Sequence, residues 1–530
     1  MIEDLARQAD AHRTCETDVV IVGAGIAGLI LATRLRRKNV RVAILESGGR
    51  EQSADIHPLN RTVQLGDAYS GASHGRFRCL GGTSTRWGGA LIPFIEHDLA
   101  ARHYLGLSGF PVGGAVLRPY LAEAEKLFGV DEGSYDEDFV RQIGATAFVP
   151  TNDRDVTVRF AKWPPFKKRN VAALLSSSIE RDRDLEIWLN STATKFDVST
   201  ENGRIISVTG CSEGKRSITI AAKHVVICAG AIESTRLLLL LDRQQDKQIF
   251  ADCNALGRFF NDHISMAVAN IKAKQVVRLN RMAGFRFIGS AMRSLRFELS
   301  AAVQEQACIG SAFGHISFRT DKETGFDALR KFLRSQQRSK TIPLSPLVAA
   351  LRDVPYLAKM AFWRIIYSQL LWPAPAKYEL HVVAEQLPRA SNYIALASEN
   401  DCFGLPLAAV RWQIEAQDLR TFAIFKRHFD GFWNRRGLRD VGELDWTPST
   451  DSSMGHTAQT DVYHPGGSTR MGTDRHDAVL DANLRCFAIP NLWIASTSAF
   501  PSGGGENPTL MLILFTMRLA DHLSSKLNAG

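Results

Sequence analysis

The chain has 530 residues, of which 45% are hydrophobic and 22% charged, and its formal net charge is +9. This length favours two domains, the composition is that of a soluble globular protein, and no apolar run reaches the roughly eighteen residues of a membrane-spanning helix. The basic residues are dispersed without a nucleic-acid-binding motif and the eight cysteines form no CxxC pair, so a nucleic-acid partner and a metal centre are both disfavoured. Met1–Thr17 has no apolar core, so we expect no secretory signal and a cytoplasmic protein with reduced thiols.

A dinucleotide-binding fingerprint lies near the start of the chain. The apolar run Asp18–Val22 enters Gly23-Ala24-Gly25-Ile26-Ala27-Gly28, a helical pattern follows, and a second strand, Val40–Leu45, ends at Glu46. Gly23 permits a tight turn, Gly25 lets the backbone approach a pyrophosphate, and Gly28 lets the helix pack closely. The helix N-terminus offers free N–H donors, and Glu46 accepts hydrogen bonds from the adenosine ribose, which suits NAD or FAD better than NADP. The position of this fingerprint in a long chain favours FAD, because FAD is held by several distant segments.

A second glycine-rich element follows at Gly81-Gly82-Thr83-Ser84-Thr85-Arg86-Trp87-Gly88-Gly89. Small residues let a backbone lie against a ligand, and the hydroxyl groups add donors. We therefore predict a cofactor contact here, although a surface turn is the alternative.

The middle of the chain returns once to the strand–glycine–helix pattern. His224–Gly230 is an apolar strand that enters a leucine-rich helix, which indicates a discontinuous cofactor domain. We assign residues 1–95, 185–271 and 452–530 to an FAD-binding domain and residues 96–184 and 272–451 to a substrate-binding domain. Within the latter, strand periodicity predicts one sheet that forms the floor of a pocket, built from Tyr378–Val383, Tyr393–Leu396 and Ala408–Trp412.

A basic helical insertion spans about 326–372, with breaks expected at Pro343, Pro346 and Pro355. It combines eight Lys and Arg residues with Phe362, Trp363 and Tyr367. Two interpretations stay open, a solvated insertion over the active site and a helix that lies on an anionic membrane.

The C-terminal region carries two further motifs, Tyr463-His464-Pro465-Gly466-Gly467-Ser468-Thr469-Arg470-Met471-Gly472 and Gly503-Gly504-Gly505-Glu506-Asn507-Pro508-Thr509. Together with the two glycine-rich elements, Val225–Leu240 and Gly257–His263, they resemble the glucose–methanol–choline (GMC) family of FAD-dependent oxidoreductases. The resemblance implies an α/β fold, with a Rossmann-like FAD-binding domain and a discontinuous substrate-binding domain built on a mainly antiparallel sheet plus helices.

The same resemblance assigns the catalytic residues. It makes His464 the base that takes the hydroxyl proton and Asn507 the partner that holds the substrate oxygen, with His263 and His456 as alternative histidines. Glu506 is either a substrate contact or an acid at a helix N-terminus. Arg86 stands where similar sugar oxidases carry a histidine linked to the flavin, so we predict non-covalent FAD.

The FAD contacts that the resemblance implies extend beyond the fingerprint. They are Gly23, Gly25, Ile26, Ala27, Gly28, Glu46, Ser47, Gly81, Gly82, Thr83, Ser84, Arg86, Trp87, Gly88, Gly89, Ala193, Ala229, Gly230, Ser498, Asn507, Pro508 and Thr509.

The expected activity is oxidation of a CH–OH group of a sugar, polyol or sugar-like natural product by hydride transfer to flavin N5. The partners are then a small-molecule alcohol or sugar and either O2 or another electron acceptor. A steroid or other apolar alcohol is an alternative substrate, and a hydroxynitrile-lyase-like enzyme with structural FAD or a non-catalytic flavoprotein is an alternative class. The sequence leaves open oxidase against dehydrogenase and the oligomeric state.

Overall fold

The computed structural model describes residues 1–338, 348, 350, 353–447 and 463–529. The strands are β1 Ile2–Asp4, β2 His12–Val22, β3 Val42–Leu45, β4 Thr62–Gly66, β5 Val156–Trp163, β6 Leu185–Leu189, β7 Thr192–Val198, β8 Ile205–Cys211, β9 Ser217–Ile227, β10 His263–Ala273, β11 Arg286–Ile288, β12 Ala291–Leu299, β13 Ala312–Arg319, β14 Lys377–Glu385, β15 Tyr393–Asn400, β16 Pro406–Trp412, β17 Gly442–Trp446 and β18 Leu492–Ile494. The helices are α1 Ile26–Arg36, α2 Glu96–Leu99, α3 Gly114–Phe128, α4 Asp138–Gln142, α5 Val171–Leu174, α6 Ser176–Arg181, α7 Ala231–Gln244, α8 Val276–Ala283, α9 Ala301–Ala307, α10 Gly325–Arg338, α11 Val354–Tyr367, α12 Ala416–Arg435 and α13 Thr509–Ala529.

The first sheet is mostly parallel and has the strand order β1-β6-β3-β2-β9-β8-β7, with β18 paired to β9. Strands β3, β2, β9 and β18 run parallel, so their carboxyl ends meet at one edge. The strand residues Val19–Ile21 are fully buried, as expected for a parallel sheet covered on both faces. Ligands of open α/β sheets bind at such an edge.

The second sheet is antiparallel, with the order β11-β12-β13-β14-β10-β17 and β5 paired to β12. Alternate side chains of its strands enter one hydrophobic core with α12, for example Leu295, Phe297 and Leu299 of β12. Phe297 packs edge-on against Phe429 of α12. Because side chains alternate along a strand, Arg296 and Glu298 face the opposite side of the sheet. The α/β fold class with a mainly antiparallel second sheet is confirmed.

The prediction of one sheet from Tyr378–Val383, Tyr393–Leu396 and Ala408–Trp412 is wrong. The first of these segments lies in β14, whose two edges are occupied by β13 and β10. The other two form a separate small sheet, β15-β16-β4, in which β16 pairs with Thr62–Gly66 from the N-terminal region. Since both edges of β14 are filled, no further strand can join it there.

The predicted domain division stays a prediction. The boundary at 271 falls inside β10, a continuous strand of the antiparallel sheet. The basic insertion contains the helices α10 and α11, and the breaks predicted at Pro343 and Pro346 lie outside the described residues, whereas Pro355 lies within the first turn of α11. Among the helices that the structure describes, none is both long and apolar enough to span a bilayer.

Candidate active site

The turn between β2 and α1 has an open side that fits a pyrophosphate. A Cβ added to Gly28 would lie 1.9 Å from the Gly23 carbonyl oxygen, and one added to Gly23 would lie 2.7 Å from the Cys228 oxygen. A Cβ on Gly25, in contrast, would meet no atom within 4 Å. Gly25 is the N-cap of α1, where unpaired backbone N–H groups point outward, and Ile26 and Ala27 form the first turn of that helix. The glycines therefore close two sides of the turn and leave the third free for a ligand.

Glu46 lies at the end of β3 beside this turn. Its side chain is 5% exposed and accepts hydrogen bonds from the backbone N–H groups of Ala24 and Gly48, both at 2.8 Å. Burial raises the pKa of this carboxyl, and the two backbone donors act against that rise. The Ser47 hydroxyl is a third, longer donor at 3.5 Å, and since a carboxylate has about four acceptor positions, capacity for a ribose hydroxyl remains. Ser47 follows and accepts a hydrogen bond from Arg78 at 2.9 Å.

The second glycine-rich element packs directly on the first turn. The Gly81 N–H donates to the Ala24 oxygen at 2.9 Å, and a Cβ on Gly82 would lie 2.9 Å from the Gly25 Cα. Thr83 and Gly88 are exposed. Three other predicted contacts have internal partners: the Ser84 hydroxyl bonds the Gly81 oxygen, the Arg86 guanidinium bonds Gln52, and the Trp87 indole N–H bonds the Arg169 oxygen. Gly89, with φ +94°, packs against the Arg169 side chain.

The remaining predicted FAD contacts occupy several places around the parallel sheet. Ala229 lies next to Gly23, since a Cβ on Gly23 would approach the Ala229 Cα at 3.2 Å, and Gly230 is exposed with open space beside it. Ser498 follows β18 and accepts a hydrogen bond from Thr469 at 2.7 Å. Ala193 is buried in β7. Pro508 and Thr509 begin α13, which is tied to α1 by a two-point ion pair between Arg34 and Asp521.

His464 and Asn507 are brought together. The Asn507 Nδ2 lies 3.0 Å from the His464 Nε2. The backbone of the His464 segment is fixed on two sides, because Gly466 exchanges hydrogen bonds with Asn261 before β10 and the Pro465 oxygen accepts from the Thr497 hydroxyl at 2.7 Å. The two residues, 43 positions apart in the chain, thus form one site.

Asp262 and His263 form the support beneath His464. One oxygen of Asp262 accepts from the backbone N–H groups of both His263 and His464, at 2.6 and 2.7 Å, and the other accepts from the Tyr69 hydroxyl at 2.5 Å. Burial raises the pKa of Asp262 to about 6, although these donors act in the opposite direction. His263 is not placed to act as the base, because its Nε2 lies 2.7 Å from the Gly504 oxygen and its Nδ1 3.2 Å from the His464 Nδ1. The other alternative, His456, lies outside the described residues.

The hydrogen bonds fix the tautomers of the two histidines. A carbonyl oxygen can only accept, so the His263 Nε2 carries a proton, and burial lowers the pKa of His263, which keeps the ring neutral. The His263 Nδ1 is then an acceptor and the His464 Nδ1 the donor. The His464 Nε2 therefore carries no proton, and its lone pair accepts from the Asn507 amide. Burial holds the pKa of His464 well below 6.5, with further lowering by His263 and Arg296, so this imidazole is neutral at pH 7.

Arg296 fixes the orientation of the Asn507 amide. Its guanidinium donates to the Asn507 Oδ1 and to Glu506, so the amide nitrogen must face His464. Burial lowers the pKa of Arg296 to about 9, and the side chain stays cationic at neutral pH. Arg159 lies directly opposite Arg296 in the β5–β12 pair and contacts both Glu298 and Glu506 at 3.3 Å. Glu506 is 1% exposed, so it is the partner of two buried arginines rather than a substrate contact or a free acid at the start of α13.

Arg296 and Asp262 are the site residues that sequence reasoning missed. A signal for Arg296 exists, since two charged residues, Arg296 and Glu298, alternate with Leu295, Phe297 and Leu299 in a β-rich run. Such alternation places both charges on one face of a strand. A charged pair facing away from the core marks the side on which a polar site lies.

Comparison with known proteins agrees with this geometry. A family model described as GMC oxidoreductase matches residues 388–516, which include His464 and Asn507, and one described as an NAD(P)-binding Rossmann-like domain matches residues 21–70. The C-terminal part of the chain thus resembles GMC oxidoreductases. It is 22% identical to the fructose dehydrogenase large subunit of Gluconobacter japonicus, over 98% of this chain and 100% of that protein. It is 21% identical to 2-methyl-1,2-propanediol dehydrogenase of Mycolicibacterium austroafricanum, over 96% of each.

The fold of this chain is also shared with a solved structure. Pyridoxine 4-oxidase from Mesorbium loti superposes with a TM-score of 0.59 at 17% identity, over 96% of this chain and 99% of that one. The cofactor is FAD, and the open side of Gly25 at the α1 N-terminus beside Glu46 fits its pyrophosphate and ribose. The enzyme is an FAD-dependent oxidoreductase of the alcohol and sugar class.

Proposed function

We propose that this enzyme oxidises a CH–OH group of a sugar, polyol or sugar-like natural product, with His464 as the base and Asn507 as the oxygen-binding partner. The observation that carries the proposal is the His464–Asn507 contact of 3.0 Å, with the lone pair of the His464 Nε2 directed into it. When bound, FAD supplies the hydride acceptor. The names of two relatives support the class, since fructose and a propanediol each carry more than one hydroxyl group.

The two side chains offer a substrate hydroxyl complementary contacts. A hydroxyl that replaces their direct hydrogen bond donates its proton to the His464 Nε2 and accepts a hydrogen bond from the Asn507 Nδ2. His464 takes the proton as negative charge grows on the oxygen, and a neutral imidazole is the form able to do so. The cationic Arg296 polarises the amide of Asn507, which strengthens donation to that oxygen. His263 acts as a positioning residue that keeps the proton of His464 on Nδ1.

The sheet face beyond this pair favours a hydroxylated substrate over a steroid. Phe313 contacts the Arg296 guanidinium at 4.0 Å, and the next residue on the same face of β13 is His315, whose ring stacks at 5.5 Å on His381 of β14. The His315 Nδ1 is buried and has no hydrogen-bond partner within the described part of the chain. An unpaired buried acceptor is costly unless a ligand satisfies it. A sugar or polyol hydroxyl is suited to that role, whereas a hydrocarbon skeleton is not.

An anaerobic screen of sugars, polyols, sterols and simple alcohols tests the proposal. A sugar or polyol is expected to bleach the flavin absorbance, and His464→Ala is expected to slow bleaching by about 10²- to 10⁴-fold while FAD content is retained. His476→Ala is the matched control, because this histidine lies in the same C-terminal region but is exposed. Bleaching by sterols alone would overturn the substrate class. A rate for His464→Ala equal to that of the control would overturn the role of the base.

The same protein separates the remaining alternatives. A lyase with structural FAD would leave the flavin oxidised with every compound of the screen, so that outcome would contradict the proposal. We also propose that FAD is held without a covalent bond, because Arg86 cannot form the histidyl link and its guanidinium bonds Gln52 at 2.9 Å. Acid precipitation is expected to leave the yellow colour in solution, and flavin in the pellet would contradict this.

A further inference from the structure

The exposed apolar side chains are unevenly distributed over the molecule. Most of the large ones in the described part of the chain fall in two short segments, the start of α8 and the region from 348 to the end of α11. In α11, Phe362 is 56% exposed, Ile365 77% and Ile366 55%. These three positions are spaced i, i+3 and i+4, so they form one continuous strip on the helix.

The rest of the chain covers little of the helix α11. It has 14 residues and none of them is buried. Tyr356 and Trp363 are only partly buried on its inner side, where the Tyr356 hydroxyl donates to the Leu371 oxygen at 2.8 Å. A helix of this length is marginal in water without a packed apolar face, so the strip needs a covering partner.

The surroundings of the strip are basic. Lys359 and Arg364 of α11 are exposed, and the Arg364 guanidinium lies 3.7 Å from the Phe287 ring at the side of the helix. Arg281 of α8 lies 4.4 Å from the Tyr367 ring, which joins the two helices into one surface. Neither helix contains an Asp or Glu. We call the surface formed by the exposed side chains of α8 and α11 the basic–apolar face.

We propose that the basic–apolar face docks on an anionic lipid bilayer, with Phe362, Ile365 and Ile366 inserted among the acyl chains. The charge complementarity supports this occupant, because every ionised side chain of both helices is positive and anionic headgroups are negative. The helix is too short to span a bilayer but long enough to lie in its interface. The long Lys359 side chain can extend from the same helix to the headgroups. Tyr367 and Trp363 are residues enriched at that depth.

Co-sedimentation with vesicles of phosphatidylcholine, with and without phosphatidylglycerol, tests the proposal on the full-length FAD-loaded protein. We expect the protein to bind the anionic vesicles at low salt. Omitting phosphatidylglycerol should lower the affinity by about fivefold for each Lys or Arg side chain that reaches the membrane surface. The double variant Phe362→Glu, Ile365→Glu is expected to lose at least about tenfold in binding. Ile206→Glu is the control, since Ile206 is 55% exposed, close to the value for Phe362, but lies on β8 of the first sheet, and this variant is expected to bind as the unsubstituted chain does.

Two further measurements make the result decisive. The rate of flavin reduction by a soluble substrate is expected to be unchanged in the double variant, which shows that it is folded. Light scattering without lipid reports whether a second copy covers the face instead. Failure of the unsubstituted chain to bind anionic vesicles, equal binding by the double variant, or a dimer that the double variant converts to monomer would each overturn the proposal.

Discussion

Asn507→Asp is the change that most directly tests whether His464 acts as a neutral base. It keeps the size of the side chain and replaces the amide nitrogen, 3.0 Å from the His464 Nε2, with an oxygen that carries negative charge. Two unit charges at this distance interact by about 5 kcal/mol at an effective dielectric constant of about 20, or about four pKa units. Arg296, which already contacts the Oδ1 of residue 507, would pair with the new carboxylate and offset part of this interaction energy. We therefore expect the pKa of His464 to rise by at least about two units.

The expected outcome is a rate of flavin reduction that depends on pH in a new way. In the unsubstituted enzyme His464 is neutral at pH 7 and the rate should be flat above neutrality. In Asn507→Asp a protonated His464 cannot accept the substrate proton, so the rate should fall as the pH is lowered, starting at a higher pH than in the unsubstituted enzyme. Anaerobic stopped-flow measurement, with the substrate that the screen identifies, gives this profile directly.

Asn507→Ala is the matched control for Asn507→Asp. It removes the amide donor without adding charge, so the rate should fall while its pH dependence stays flat. If both variants give the same flat profile, the charge at 507 does not reach the proton-accepting atom. The assignment of the His464 Nε2 as that atom would then be refuted.

Four other predictions follow from the same contacts. Gly25→Ala should fold normally yet purify with little FAD, because the added methyl group meets no protein atom and enters the pyrophosphate space; full FAD content measured by absorbance would contradict this. His263→Phe keeps a ring but removes the acceptor for the His464 Nδ1, so flavin reduction should slow by about fivefold at unchanged FAD content. The rate should partly recover in His263→Gln. Equal rates in the unsubstituted protein and both variants would show that His263 has no role in the mechanism. Glu506→Gln leaves two buried arginines short of a carboxylate and should lower the free energy of unfolding in urea by about 3 kcal/mol, and a loss under about 1 kcal/mol would contradict the ion-pair role. Burial lowers the pKa of His315 from 6.5 to about 3, so the contribution of this histidine to stability is present above pH 6.5 and lost as the pH falls. Between about pH 7 and about pH 5.5, the free energy of unfolding of the unsubstituted protein should fall by about 1 kcal/mol more than that of His315→Phe. Equal falls in the two proteins would refute the lowered pKa.

The parts of the fold that the sequence predicts are those in which local pattern and function coincide. The run Val19–Val22, the glycine spacing and Glu46 specify a strand, a turn, a helix and a second strand, and the structure has each of them in place. The two C-terminal motifs predict that His464 and Asn507 share one site, and the two side chains are in contact. In both cases the information is contained in a few consecutive residues.

The parts that could not be predicted depend on pairing between distant strands. Arg296 reaches Asn507 because β12 pairs with β5 and presents one particular face to the site. The sequence of β12 alone does not determine this pairing register. The assignment of three strands to one sheet failed for the same reason, since periodicity identifies a strand but not its neighbours. The short strand Ile2–Asp4 is recruited by pairing with β6, without a strong pattern of its own.

The buried charges explain why Glu506 precedes Asn507 in this chain. A cation at 296 orients and polarises the amide of Asn507, but an isolated buried guanidinium beside a neutral histidine would be strongly destabilising. Glu506 supplies the compensating carboxylate from the adjacent position in the chain, just before Pro508 and the start of α13 at Thr509. Neither charge is tolerable alone, whereas the pair gives a rigid, desolvated donor at the substrate oxygen. Replacing both, as in Arg296→Met with Glu506→Gln, should therefore cost less stability than the sum of the two single changes and still slow flavin reduction, a non-additivity that a double-mutant cycle measures.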